Sequence, residues 1–269
     1  LHELGHAYAT RRWGGEVHEI GLMLLVFSPV PYVDASSAWG FRDKRKRMVV
    51  GAVGIAVELF LGALALFVWL MVEPGAVRAV AYNVMLISGV STLLFNGNPL
   101  LRFDGYYVLA DAIEIPNLGA RSNTYLGYLF QRYVLGIKTA ESPAHSNGER
   151  AWMTVYGIAS FIYRIFISFI IITFIAGKFF VIGILLAIWA LATQVLMPVG
   201  KSLSFLFKSP NVQRKRGRAL VTTLALLAAA GTVLYMVPAP SWTRTEGVVW
   251  VPEEAQVRAG ARLGDIGHA

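Results

Sequence analysis

Cysteine is absent from the 269 residues. That excludes a disulfide framework and any thiolate-held metal. Charge is scarce as well. Only 15% of residues are Asp, Glu, Lys or Arg, against 56% hydrophobic, and mean hydropathy is +0.56. A soluble domain carries about 25% charged residues, so the composition is that of a chain with several membrane spans. Acidic residues are the scarcer sign, 16 against 24 basic, for a net charge of +8. An excess of this kind ordinarily suggests nucleic acid as a partner. Here the basic residues gather in Arg42–Arg47 and Arg214–Arg218, each beside a long apolar run. That is the pattern of loops held on the cytoplasmic side of a membrane. The expected partner is therefore the lipid bilayer, and no nucleic acid is expected. The chain opens on Leu1 with a motif at residue 2 and reads as a piece of a longer open reading frame whose N-terminal part is missing.

That motif is His2-Glu3-Leu4-Gly5-His6, an H-E-x-x-H. Residues at i and i+4 share one face of a helix, so both imidazoles can reach a single Zn²⁺. The Glu beside the first His is too constrained to ligate the same ion but can reach a water there as general base. This is the donor pattern of a zinc hydrolase. Its bland rival is a chance match on an amphipathic helix. The extended H-E-x-x-H-x-x-G-x-x-H pattern fails, because Ala9 and Arg12 stand where Gly and His are required. A catalytic zinc site has three protein ligands, so a third must come from elsewhere. His145 lies in a polar stretch and His268 in the tail. His18 follows the Gly14-Gly15 break and reads as a polar strand residue, and Glu16 and Glu19 leave the helix face for the same reason. Glu58 and Asp104 remain open on the residues alone.

Along the chain, the motif helix covers residues 1–13. Residues 16–34 are β-branched, apolar and broken by prolines, which suggests short strands or a re-entrant loop. Spans are expected at 48–72, 78–95, 151–176, 179–199 and 219–237, each near the ~20 residues that cross a bilayer. Residues 114–150 read as a polar loop with an amphipathic stretch around Tyr125–Val134. Glu58 and Arg164 sit mid-span, where a lone charge is expensive. Both are expected to face the interior and to pair with each other, or, for Arg164, to reach water. The fold class is an all-α polytopic membrane protein, a helical bundle with a short β or re-entrant segment after the first helix.

Asn96-x-x-Pro99-x-x-x-x-Asp104-Gly105 follows the motif helix by about a hundred residues. The two motifs together resemble the site-2 protease family of intramembrane zinc metalloproteases. The resemblance implies Zn²⁺ as cofactor, His2, His6 and Asp104 as its ligands, Glu3 as general base, and Asn96, Asn98 and Pro99 beside the substrate. It covers residues 1–112. Arg102 and Phe103 replace the family's usual residues before Asp-Gly, and Gly54-Ile55-Ala56-Val57-Glu58 replaces a G-P-x-x-N element. These departures point to the bacterial peptide zinc metalloprotease branch. The stretch Glu246–Ala259 resembles the start of a membrane-fusion adaptor.

The expected organisation is a protease core at 1–112, a cytoplasmic loop at 113–150, further membrane helices at 151–239 and an extracytoplasmic tail at 240–269. The expected function is a zinc endopeptidase of the bacterial inner membrane that cleaves a membrane peptide or protein. The residues 16–34 and the Asn96–Pro99 turn could offer backbone edges to the substrate. The alternative is a non-enzymatic anchor of a peptide export system with a vestigial metal site. Basic clusters fall in alternate loops, so reporter fusions after Arg47 and Arg218 are expected to report cytoplasm and one after Trp250 the opposite side. A cytoplasmic Trp250 would remove the basis of this topology.

Overall fold

The computed structural model describes residues 1–25, 28–134, 136–137 and 139–208, with isolated positions between 217 and 236. The chain divides after Thr223. Of the second unit, Ala225, Ala228, Gly231, Thr232 and Met236 are described, each helical. The expected span at 219–237, apart from its isolated positions, and the adaptor-like tail lie outside the described residues.

Helix α1, His2–Arg12, is short and stops where expected. Gly14 takes a φ of +79°, open to glycine without steric penalty. A Cβ on Gly15 would press on Thr10 and Phe41. The chain then forms an antiparallel hairpin of β1, Ile20–Leu25, and β2, Ser28–Val33, in register from Ile20↔Val33 to Leu25↔Ser28. Of the two expectations, short strands or a re-entrant loop, strands are what these residues form. Asp34 N–H donates to the Glu19 carbonyl at 2.9 Å, which sets the phase of the ladder. By alternation, the nitrogens of Pro29 and Pro31 face away from β1. The ladder loses nothing to them. The outer edge of β2 lacks two N–H donors, however, and this is how edges are kept from pairing. The backbone edge that this segment could offer is therefore one of carbonyl acceptors with two donors missing.

Among the described residues, four helices are long and apolar enough to cross a membrane: Lys44–Met71, Ala76–Asn96, Asn147–Ala176 and Phe180–Lys201. The first is α2, Lys44–Met71, capped by Asp43, whose carboxylate accepts the Arg45 N–H at 2.9 Å. That cap starts the helix four residues before the apolar run and turns the basic cluster into its first turn. Helix α3, Ala76–Ser91, continues as a π-helical turn over Thr92–Asn96. Helix α4, Asp104–Ala112, follows. Helix α6, Asn147–Ala176, begins earlier than expected because Ser146 caps it through the Glu149 N–H at 3.2 Å. Ser146 and Glu149 have the spacing of a capping box. Helix α7, Phe180–Leu191, passes through a π-helical turn, Ala192–Leu196, into α8, Met197–Lys208. Large apolar side chains such as Phe60, Phe67, Ile87, Phe169 and Trp189 stand exposed on these helices.

The stretch read as a polar loop holds a further helix, α5, Leu118–Leu129, which packs on α6. Its start lies seven residues before the stretch around Tyr125 expected to be amphipathic. Leu118 and Met153 are fully buried there, in a cluster with Tyr106, Ile115, Tyr125 and Tyr156. Tyr106 also accepts the Gly119 N–H on its hydroxyl at 3.1 Å. This cluster ties α4, and Asp104 with it, to α5 and α6. Leu118→Ala is expected to destabilise the fold by about 2–5 kcal/mol. Thermal unfolding in detergent checks it, and a melting temperature equal to that of the unmodified chain would contradict the packing described.

Candidate metal centre

The centre is assembled by three helices. His2 and His6 project from one face of α1, and Asp104 opens α4. His2 Nε2 and His6 Nε2 stand 3.1 Å apart, and Asp104 Oδ2 is 3.1 Å from the first and 3.3 Å from the second. Ligands at roughly 2.0–2.1 Å from a tetrahedral ion stand about 3.3 Å from one another. The triangle therefore has the size a small tetrahedral cation requires.

The far side of each imidazole shows which nitrogen carries the lone pair. His6 Nδ1 lies 2.7 Å from the Val50 carbonyl, an acceptor only, so Nδ1 donates and Nε2 is left with a lone pair. His2 Nδ1 lies 3.1 Å from Glu58 Oε1, a close approach that is off the axis of a good hydrogen bond. It too faces an acceptor. Asp104 Oδ2 is buried with no hydrogen-bond partner. Burial opposes the charge of Asp104, yet the adjoining His2 and His6 outweigh it and hold the carboxyl at about 2. The carboxylate is thus an anion at neutral pH. A protonated imidazole beside Asp104 satisfies it as an ion pair; with both imidazoles neutral, three electron-pair donors converge, an arrangement that a bound cation relieves. Among the described residues, this is the group able to hold a metal ion. Residues and metal fit.

Local packing explains why these atoms meet. A Cβ on Gly54 would collide with both imidazoles, so α1 crosses α2 with its rings seated on bare backbone. A Cβ on Gly105 would fall 2.5 Å from the Gly97 carbonyl. Asp104 is the first residue of α4, and Gly105 lets that helix start against the backbone leaving α3.

Glu3 lines a cavity of about 970 Å³ together with His2, His6 and Asp104. The same cavity is walled by Trp39 and Tyr107, packed edge to face at 5.3 Å. It extends to the charged ends of α2 and α4, where Arg47 pairs with Asp111 at 2.6 Å and Lys44 with Glu114 at 2.9 Å. Neither the aromatic wall nor these pairs were foreseen, because nothing in the spacing of Trp39, Tyr107 and Asp111 brings them together.

The residues expected beside the substrate make local contacts. Asn96 donates to Glu58 Oε1 at 2.7 Å, and the Asn98 side chain accepts the Leu100 N–H at 2.9 Å. Asn96, Asn98 and Pro99 do not line the cavity; they shape the turn that delivers Asp104. The expected pairing of Glu58 with Arg164 is also corrected. Glu58 Oε2 accepts the Thr92 hydroxyl at 2.7 Å, whereas Arg164 bonds back to the Ser160 carbonyl of its own helix at 3.3 Å. His18 is an exposed residue near Glu16 at 3.9 Å, away from the centre.

Gly54→Ala is expected to push the imidazoles off α2 and lower metal occupancy at least tenfold while the helical content stays unchanged. Metal analysis beside circular dichroism checks it, and full occupancy would contradict the seating of the rings. No family model, curated protein or solved structure matches this chain, and what the centre does follows from its own geometry.

Proposed function

We propose that this chain is a zinc-dependent endopeptidase seated in a membrane, of the site-2 protease type, acting on a membrane peptide or protein. The observation that carries the reading is the convergence of His2 Nε2, His6 Nε2 and Asp104 Oδ2 beside Glu3 on one cavity. Two imidazoles and a carboxylate with an open fourth direction form a donor set suited to catalytic zinc. Zinc held there would supply Lewis acidity, making water acidic enough to attack near neutral pH and polarising the scissile carbonyl.

The chain's own groups supply the rest. Glu3 accepts the proton of the attacking water and returns it to the departing amine. The cavity is large enough for a stretch of peptide, and its charged mouth admits water to a site among apolar helices. Trp39 and Tyr107 offer an apolar wall to a side chain of the substrate. The outer edge of β2 retains carbonyl acceptors but lacks N–H donors at Pro29 and Pro31, so a substrate there would be held chiefly by its own N–H groups.

The four long apolar helices and their exposed faces support insertion in a bilayer. The basic residues Arg42, Lys44 and Arg47 in the cavity lining support a site on the cytoplasmic side, on the logic that Lys and Arg mark that side. A bacterial inner membrane fits this orientation.

Two variants separate the assigned roles. Asp104→Ala is expected to lose both zinc and cleavage of a single-span peptide. Glu3→Gln is expected to keep zinc and lose cleavage by about 10²–10⁴-fold, the range attributed to a positioned proton-transfer group. Zinc retained in full by Asp104→Ala would overturn the ligand set, and cleavage retained by Glu3→Gln would overturn the mechanism.

A further inference from the structure

The face of α2 that meets α1 repeats every fourth residue: Val50, Gly54, Glu58. Each position does something different to the imidazoles. The Val50 carbonyl accepts a hydrogen bond from His6 Nδ1–H at 2.7 Å. Gly54 leaves room for both rings. Glu58 Oε1 faces His2 Nδ1 at 3.1 Å. Because residues four apart stack on one helix face, three turns of α2 address the two turns of α1 that carry His2 and His6.

Glu58 is itself held in place. Asn96 Nδ2 donates to Oε1 and the Thr92 hydroxyl to Oε2, each at 2.7 Å. Thr92 and Asn96 are the first and last residues of the π-helical turn that ends α3, and local π-helical geometry commonly marks functional sites. The carboxylate is only 17% exposed. In an apolar setting such a charge is costly unless its lone pairs are met, and here two donors from the π-helical turn meet them. A carboxylate needed only to bracket α2 to α3 would be satisfied by Thr92 and Asn96 alone. Its further approach to His2 is the surplus that needs an explanation.

We infer that Glu58 is a positioning residue of the metal centre, whose anionic carboxylate, braced by Thr92 and Asn96, keeps the proton of His2 on Nδ1 and so directs the Nε2 lone pair at the metal. The inference rests on the metal reading above. Carboxylates set behind metal-ligating histidines orient the ring and raise its basicity, and their loss typically weakens metal binding by about 10–100-fold. Asp104 and Glu58 together also carry the two negative charges that balance a dication where the dielectric is low. Glu58 touches no reacting atom and does not itself line the cavity. Its effect passes through His2.

The test is zinc affinity, measured by chelator competition on the purified full chain in detergent, with the absorption spectrum of the Co²⁺-loaded protein as a second reading of ligand geometry. Glu58→Ala is expected to weaken zinc binding about 10–100-fold and to alter the Co²⁺ spectrum. Glu58→Gln keeps the shape and an acceptor oxygen but not the charge, and is expected to fall between Glu58→Ala and the unmodified chain. If Glu58→Ala does not fold, Glu58→Gln alone decides. Zinc affinity within twofold of the unmodified chain in Glu58→Gln, with an unchanged Co²⁺ spectrum, would overturn the inference. In that case the loss of zinc in Asp104→Ala would leave the metal reading standing. Zinc binding indifferent to Asp104→Ala would instead bring down the metal reading and this inference with it.

Discussion

The seating of two imidazoles on the bare backbone of α2 at Gly54 is the contact on which the rest depends. It brings α1 and α2 close enough for the Val50 carbonyl to accept a hydrogen bond from His6. It aims both Nε2 atoms to one side, where α4 must then deliver a carboxylate. Any side chain at 54 would separate the helices, and the triangle of donors would open with them. Packed interiors respond to one added methyl in discrete steps rather than by smooth yielding.

Polar groups in this chain are few, and the structure concentrates them. Glu58, Thr92 and Asn96 satisfy one another behind His2. The turn after α3 is held by Asn98 and by Tyr163, whose hydroxyl donates to the Leu94 carbonyl at 2.8 Å from α6. Gly97 and Gly105 then let α4 begin against that turn. The buried cluster around Leu118 and Met153 anchors the far end of α4. The position of Asp104 is thus set from both sides, by a polar bracket before it and an apolar one after it. The prolines of β2 have a comparable logic. They leave the hairpin intact and remove donors from its free edge.

The sequence by itself determined the composition class, the helical character of the long apolar segments and the ends of α1. Those follow from local physics: apolar length, and glycine at a positive φ. It also singled out His2, Glu3 and His6, because ligand spacing on a helix is a local property, whereas Asp104 was chosen over Glu58 only through the resemblance carried by the Asn96–Gly105 segment. The capping residues Asp43 and Ser146 were legible in principle, since each precedes the helix it starts, but the apolar runs begin later and drew the boundaries inward. Helix α5 was hidden because its polar, glycine-containing sequence matches a loop, and only burial against α6 makes it a helix worth forming.

Tertiary structure alone decided what lies behind the metal centre. Glu58 was visible as a misplaced charge, yet its partners lie 34 and 38 residues further along the chain at Thr92 and Asn96, and no periodicity links them to His2. Arg164, the opposite charge in the middle of another span, was a reasonable partner by Coulomb's law and stands elsewhere. Asn96 carried a motif but not its own orientation, which the π-helical turn sets. Spacing within one helix is dictated by bond geometry and can be read from residues. Which side chain meets which across helices depends on how closely the backbones approach, and that is decided by glycine contacts and packing that exist only once the chain has folded.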